Sequence, residues 1–546
     1  MDNQQNENFT NMYQPINYPP PYMPPVYYKP KLRKAGSKRD MIFAGLLFFL
    51  SLLCVNFTLY GGGGLALSLA AIGLYITGIA YLYPKRRHFS LYTCFCMMFY
   101  VLGALSLFLS DSGFGKFLTL NTMVLLSGVT LMDLMDLRKQ TAGSIYAVFD
   151  WLRTILILPF SSIGAVFFAL FHKKGSEGSE NPVEKRKTGS VLIGLGLAVP
   201  VLLVIVPLLT GADEAFHNLF RKLTFEGSSE LIVTLILGIG IFILIFGQHF
   251  AAQYQNAEEK NRENIGNGID TTILASFFCA ICVVYALYLL SQLAYFFNAF
   301  AGLLPEDYTV AEYARRGFFE MTTICVINLG LLLLALFGSR KKDGKEPGIL
   351  RALALFLCLF SLILIATAIS KMLLYIDSFG LTHLRLLTSV FMLFLCVLFV
   401  TMILWLFFRK LPYMKVAVIT AALLVTVLGF ADPGRVVASY NVNAYLSGEL
   451  DSVDMAELSL LNTDAVVPYA WELTQDPDPL VYERAWRILY DHMINFDMIQ
   501  TIEGERQVTE GHYDWRAFNA PSYQAYKLLQ EHGQEIFSTA RRYGIR

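Results

Sequence analysis

The sequence has little charge for its length. Of 546 residues, only 16% are Asp, Glu, Lys or Arg, whereas soluble domains contain about a quarter. It also lacks cysteines where an extracellular domain would use them. All eight lie in apolar runs, and the polar region after residue 431 has none. This excludes a disulfide framework in that region. Hydrophobic residues make up 55% of the sequence.

Signatures of the common catalytic and metal centres are also missing. The sequence contains no HExxH, GxxxxGK[ST], GxSxG or EF-hand loop. Glu510, His512 and Asp514 lie close together, but this spacing is more typical of a solvated turn or strand than of a metal site. Cys279 and Cys282 form a CxxC pair without visible stabilisation of a thiolate. We therefore predict no catalytic residue, no metal, no cofactor, no enzymatic activity and no nucleic-acid partner.

Long apolar runs fill the chain between Met41 and Phe430. A helix of about 20 such residues, rising 1.5 Å per residue, crosses a hydrocarbon core of about 30 Å. The pattern predicts an all-α fold, a polytopic transmembrane helical bundle of 11–12 spans with a small, mostly helical C-terminal extramembrane domain. The candidate spans are 41–59, 63–83, 89–110, 114–132, 145–171, 190–210, 231–251, 272–297, 319–338, 350–371, 384–408 and 413–431.

Basic loops predict the orientation of these spans. The N-terminal arm and the loop at 85–87 indicate one cytoplasmic face, and so do the later loops near 173–187, 340–345 and 409–415. The early and late groups agree only if one run between residues 89 and 171 does not cross. The alternative is twelve crossings with one basic group on the other face.

The run 145–171 is the best candidate for a segment that does not cross. It carries Asp150 and Arg153 within one helical turn, and Pro159 near its centre. A charge within the membrane costs at least about 2.5 kcal/mol, which a re-entrant or interfacial helix avoids. We expect eleven crossings in a cell membrane, with a cytoplasmic N-terminus and an extracytoplasmic C-terminal domain.

Composition divides the chain into four regions. The last of them, residues 432–546, contains 18 acidic and nine basic residues. Its cap residues predict helices at 455–461, 465–473, 480–493 and 523–543, with an irregular stretch near 503–519. Trp471, Trp486 and Trp515 are candidates for its core. The four regions are a disordered, basic, Pro/Tyr-rich arm (1–39), an N-terminal membrane region (40–188), a seven-span membrane region (189–431) and an acidic helical domain (432–546).

Polar stretches between the later runs supply the candidate functional residues. Asp213 would cap a short connector helix after the sixth run. Glu312 has capping-box spacing from Thr309 and can reach Arg315 and Arg316 on one helical face. This element leads directly into the ninth run.

Four further candidates lie at the ends of the later runs or just after the last one. Glu320 could bind a cation or exchange a proton, or pair with Arg316 four residues before it. Lys371 and Arg385 flank a turn at Gly380, where they could hold an anionic headgroup or substrate, or snorkel to the interface. Asn441 opens the C-terminal region.

These stretches resemble a family of bacterial polytopic membrane proteins, domain of unknown function 4173, which is related to the 4153 group. The resemblance covers roughly residues 190–475. The family has no assigned activity, so the resemblance implies an integral membrane protein and no mechanism. The matching stretches are Gly211–Phe216, Gln292–Phe297, Ala311–Phe318, Gly380–Arg385 and Asn441-Val442.

Counting spans from residue 190 places these motifs on one face of the membrane. The acidic domain would then sit above three polar loops and form a platform with them. We therefore expect a non-enzymatic envelope scaffold or sensor that meets membrane lipid and an envelope protein or lipid partner. The alternative is a transporter or lipid-handling protein with a site near Glu320, Lys371 and Arg385.

Overall fold

The computed structural model describes residues 36–137, 147–171, 205, 228–254, 269–300, 318–338, 348–461, 463–502 and 505–544. Apolar helices dominate the part before residue 432. We number them α1 (Lys38–Leu59), α2 (Leu65–Leu82), α3 (Leu91–Ser106), α4 (Gly113–Leu134), α5 (Ser228–Tyr254), α6 (Thr271–Phe300), α7 (Phe318–Gly338), α8 (Gly348–Phe379), α9 (His383–Phe407) and α10 (Tyr413–Ala431).

The helices confirm the predicted membrane class. Within the described ranges, nine of them are long and apolar enough to span a bilayer, and α3 is apolar but shorter. Their ends fall close to the predicted ends of the runs. The largest difference is α8, which continues to Phe379 rather than ending near residue 371. The predicted run 190–210 lies outside the described residues, apart from position 205. The chain is a multi-pass membrane protein.

The helices pack into two groups joined by α10. Helices α1 and α5 form one core, where Phe43 and Leu47 pack with Phe246 and Phe250. Helices α6 to α9 form the other core. Asn328 of α7 links three of these helices, because it accepts a hydrogen bond from Tyr285 of α6 (2.9 Å) and donates one to Ser361 of α8 (3.0 Å). Helix α10 packs against α3 and α4 on one side and α9 on the other.

The two ends of the bundle differ in chemistry. We call one the basic end, since Lys85 lies over the ring of Tyr254 there and Lys415 over the ring of Tyr92. The other we call the tail end, because residues 432–544 lie against it. Three connections meet the C-terminal region at the tail end, namely 60–64, 107–112 and 380–382.

The segment 147–171 is a broken helix near the basic end. It contains a π-helical turn, Arg153–Ile157, just before Pro159. Proline has no N–H to donate to the carbonyl four residues earlier, which favours such a break. The carbonyl of Thr154 accepts a hydrogen bond from Gln248 (2.7 Å), and that of Ala169 accepts one from Gly36 (3.0 Å). Both contacts lie within two helical turns of the basic end. That the segment does not cross stays a prediction.

The C-terminal region is mostly helical, as predicted. Its helices are α11 (Pro433–Leu446), α12 (Met455–Leu460), α13 (Val467–Glu472), α14 (Pro479–Asn495) and α15 (Ala520–Arg542), with short 3-10 turns at Asp464–Val466, Leu473–Gln475 and Trp515–Ala517.

Two expectations for this region need correction. Part of the stretch read as irregular forms an antiparallel hairpin, β1 (Ile499–Ile502) with β2 (Glu505–Val508), in which Ile499 pairs with Val508. Trp486 is buried and meets Trp471 edge to face, but Trp515 is 68% exposed and anchors no core.

Candidate functional site

The side chain of Asn441 fastens the C-terminal region to the turn between α8 and α9. Its Oδ1 accepts a hydrogen bond from the Leu381 N–H (2.6 Å), and its Nδ2 donates one to the Leu381 carbonyl (2.7 Å). Asn441 is only 3% exposed. An amide presents one acceptor and two donors, so it pairs with a backbone unit much as a neighbouring strand would. Asn441 therefore holds α11 against the tail end of the bundle.

The sequence Gly380–Arg385 supplies the geometry that Asn441 needs. Gly380 ends α8 with φ of +72°, a conformation that glycine adopts without strain. Thr382 caps α9 by accepting a hydrogen bond from the Arg385 N–H (3.3 Å). The Arg385 guanidinium donates to the carbonyls of Phe379 (3.1 Å) and Gly380. These residues shape the turn, which leaves both backbone groups of Leu381 for Asn441.

A second contact joins three carboxylates from distant parts of the chain. Asp111, between α3 and α4, accepts hydrogen bonds from the backbone N–H of Asp464 (2.9 Å) and from Asn519 Nδ2 (3.3 Å). The Asp111 N–H donates to Asp432 Oδ2 (3.0 Å). Lys116 lies 3.7 Å from Asp111 and partly offsets the negative charge. His492 Nδ1 lies 2.9 Å from Asp464 Oδ1.

The backbone of Asp432 takes a strained conformation at this contact. It has φ of +54° and is 1% exposed. Non-glycine residues rarely adopt such an angle and keep it only when the surroundings fix it. Here the carboxylate also caps α11, because Oδ1 accepts a hydrogen bond from the Gly434 N–H (3.1 Å). The last membrane helix therefore turns into the C-terminal region at a fixed angle.

A third contact is made by the backbone just before α15. The Leu65 N–H donates to the Phe518 carbonyl (2.8 Å), and the Ala520 N–H donates to the Phe108 carbonyl (2.9 Å). Gly64 lies against this segment so closely that a Cβ there would be 2.4 Å from the Phe518 oxygen. We call the three contacts together, at Leu381, Asp111 and Leu65, the docking junction.

Burial and the nearby Asp464 carboxylate raise the pKa of Asp111 above its ordinary value of 3.8. Lys116 acts in the opposite direction but does not cancel the shift. A carboxyl group with a raised pKa binds more protons in the folded state than in the unfolded state. Its effect on stability therefore becomes less favourable as the pH rises through the interval between the two pKa values.

We expect acid to strengthen the docking junction through Asp111. The thermal unfolding midpoint of the full-length protein in detergent, measured relative to the Asp111→Asn variant, should rise as the pH is lowered from 7 towards the ordinary pKa of 3.8. Asp514→Asn is the control. The hydrogen bond from Arg516 lowers the pKa of the Asp514 carboxyl below its ordinary value of 3.8, so the wild-type midpoint measured relative to this variant should stay constant over the same pH range and fall only at lower pH. A wild-type midpoint that falls relative to Asp111→Asn on acidification would contradict this assignment.

Arg385 lines a groove at the tail end, whereas Glu320 and Lys371, the other membrane candidates within the described ranges, do not line it. The groove has a volume of about 220 Å³ and is formed by residues of α7, α8 and the first two turns of α9. Glu320 is exposed in the first turn of α7, and Lys371 is half-buried in α8, two turns before its end. Asp213, Glu312, Arg315 and Arg316 lie outside the described residues. Asn441 belongs to the docking junction, beside the same turn as Arg385.

Sequence reasoning missed Asp111, Asp432, Asp464 and Asn519. Two of them had a local signal, since Asp432-Pro-Gly directly follows the last apolar run and Asp111-Ser-Gly lies in a short loop between runs. Such signals predict turns. They do not reveal that the two turns meet, because that depends on how α3, α4 and α10 pack.

Comparison with known proteins identifies a family and little more. Residues 97–470 match the model of a family described as Domain of unknown function (DUF4153). No curated protein and no solved structure matches the chain. The matched range begins before the stretch that carried the motif resemblance, and it includes α4, the broken segment and the docking residues Asp111, Asn441 and Asp464. Since the match covers more than half of the sequence, the chain belongs to the DUF4153 family.

Proposed function

We propose that this protein is a non-enzymatic scaffold or sensor of the cell envelope. Its N-terminus lies in the cytoplasm, and its acidic C-terminal region lies on the outer face of the cell membrane. The docking junction carries the proposal, because it fixes this region to three separate connections at the end of the bundle opposite the basic loops. Positively charged loops favour the cytoplasmic side. In this proposal the broken segment 147–171 does not cross the membrane, which makes the positions of the basic loops consistent along the chain.

A fixed domain suits presentation or sensing better than a tethered one. A partner that binds it acts directly on α10 and on the α8–α9 turn, since Asp432 and Asn441 connect these elements to α11. A domain on a flexible linker would not transmit the binding of a partner to the membrane helices. The excess of acidic residues in this region favours a partner with a basic surface.

We also propose that the chain is similar to the 4173 group, which is related to its family. The support is that two of that group's motifs, Gly380–Arg385 and Asn441-Val442, form a single contact here. The Asn441 side chain pairs with the backbone of Leu381, so the two motifs form one structural unit.

A single cysteine at Leu460 tests both the sidedness and the partner. Leu460 is 77% exposed on α12, whereas the native cysteines lie in apolar runs. We expect a membrane-impermeant maleimide carrying a photo-cross-linker to attach to Leu460→Cys on whole cells, and illumination to give one discrete adduct. Lys410→Cys at the basic end is the control and should stay unlabelled until the cells are opened.

The docking junction should govern the adduct. We expect Asn441→Ala to weaken the adduct at Leu460→Cys, and Asn443→Ala, on the exposed face of the same helix, to leave it unchanged. Labelling only after cell lysis would overturn the orientation. Labelling on whole cells without a discrete adduct would overturn the scaffold or sensor role while leaving the orientation intact.

A second candidate function is lipid handling or transport near Arg385. The observation that favours it is the groove beside this guanidinium, at the boundary depth where a headgroup would lie. Glu320 and Lys371 do not line the groove, so this candidate rests on Arg385 and its aromatic neighbours rather than on three converging charges.

A further inference from the structure

The groove beside Arg385 is apolar except at one edge. Phe318 and Phe319 of α7, Met372 of α8 and Leu384 of α9 supply most of its wall. Phe319 is 53% exposed and Leu384 is 62% exposed. On a membrane helix, such exposed apolar side chains meet lipid rather than water. The groove is therefore open to hydrocarbon chains along one wall and carries a cation at its rim.

The guanidinium of Arg385 retains unused hydrogen-bonding capacity. Its Nη1 donates to the carbonyls that end α8, and the group lies 4.1 Å from the centroid of the Tyr375 ring. Within the part of the chain that the structure describes, Nε and Nη2 have no acceptor, and no carboxylate pairs with the side chain. Arginine presents its donors as a planar fork that matches two oxygens of a phosphate.

The depth of Arg385 matches that of a lipid phosphate. It is the third residue of α9, and Tyr375 lies four residues before the end of α8. At 1.5 Å per residue, both are within about 6 Å of the tail end of the bundle. Arginine and tyrosine at the ends of spans lie in the interfacial region, where the headgroups begin.

The charge around the site favours a lipid over a soluble anion. The region from 432 onwards carries 18 acidic and nine basic residues and covers the tail end. It would repel a soluble polyanion that approached from the aqueous side. A lipid reaches the groove laterally, between α7 and α9, and brings an acyl chain that the apolar wall can cover.

We propose that this groove binds an anionic phospholipid of the leaflet at the tail end. The phosphate accepts hydrogen bonds from Nε and Nη2 of Arg385, and an acyl chain lies against Phe319 and Leu384. The site deepens the lipid-handling candidate and is independent of the scaffold proposal. A lipid can be bound here without being moved, so failure of this site would leave the docking junction and the scaffold proposal unaffected.

Native mass spectrometry of the delipidated full-length protein, titrated with phosphatidylglycerol in detergent, tests the site. Charge-assisted hydrogen bonds are stronger than neutral ones, so Arg385→Gln should weaken binding of one lipid by about tenfold or more. Arg351→Gln is the matched control. Arg351 also lies over an aromatic ring, that of Phe407, but near the other end of α8 and away from the groove.

A second variant tests the groove without removing Arg385, whose hydrogen bonds also hold the turn. Thr388 lines the groove without contributing to the α8 cap, so Thr388→Phe fills the groove and leaves the bonds of Arg385 in place. We expect Thr388→Phe to abolish the same lipid-binding event. Unchanged binding in folded Thr388→Phe would overturn the proposal. Displacement of the lipid by inorganic phosphate alone would also overturn it, because it would show an anion site with no role for the acyl chain.

Discussion

Replacing Asn441 with alanine is expected to release α11 from the α8–α9 turn. The substitution removes both hydrogen bonds to Leu381 and leaves its N–H and carbonyl buried without partners. Each unsatisfied buried group costs about 1–3 kcal/mol, so we expect the free energy of unfolding to fall by about 3 kcal/mol. The measurement is the thermal unfolding midpoint of the full-length protein in detergent, together with protease cleavage near residues 432–434.

Two further substitutions sharpen this result. Asn443→Ala lies on the exposed face of the same helix and should change neither the midpoint nor the cleavage. Asn441→Asp keeps the acceptor for the Leu381 N–H but places an oxygen, which cannot donate, against the Leu381 carbonyl. It should therefore lower the midpoint at least as much as Asn441→Ala. Equal midpoints for Asn441→Ala and Asn443→Ala would show that the contact contributes nothing to stability.

Gly64→Ala is expected to separate the C-terminal region from the α1–α2 connection. The new methyl group would lie 2.4 Å from the Phe518 oxygen and 2.5 Å from the Ala517 oxygen. Both atoms belong to the backbone and cannot rotate away, so the segment before α15 has to move. Overpacking typically costs about 1–3 kcal/mol, and the lost bond from Leu65 adds about 1 kcal/mol. Hydrogen exchange of the Leu65 and Ala520 amides should accelerate.

Gly113→Ala is the matched control for that experiment. Gly113 is also at the start of a membrane helix at the tail end, as the first residue of α4, but nothing lies within 4 Å of the position its Cβ would take. Alanine there should leave exchange unchanged and stabilise slightly, by about 0.4–1 kcal/mol, through the unfolded state. Equal exchange rates in the two variants would mean that the close approach at Gly64 is not needed for docking.

The membrane helices were the most predictable part of the fold. A hydrophobic run is a local property, and its length is set by the thickness of the bilayer. The predicted end of α8 near Lys371 was wrong because the helix extends past the apolar run to Phe379, and Gly380, which follows it, has a positive φ. Polar residues in that last stretch lie at the interface, where the hydropathy pattern no longer marks the helix end.

The candidate site was predictable only in part. Gly380 predicts a turn, and the sequence correctly predicts that Arg385 lies just after it, at the start of the next helix. The partner of the turn, Asn441, lies in a stretch that resembles the family, but nothing local predicts that its amide reaches the Leu381 backbone. The hairpin at 499–508 was missed because each strand has only four residues and little alternation of polar and apolar side chains.

The Asp111 contact also constrains the order in which the protein can be completed. Its hydrogen-bonding partners lie 321, 353 and 408 residues later in the chain, at Asp432, Asp464 and Asn519. During synthesis, the loop between α3 and α4 is therefore made well before the residues that bind Asp111. The contact can form only after α10 has been inserted and the chain has been translated as far as Asn519. Burial of Asp111 thus depends on residues that are synthesised long after it.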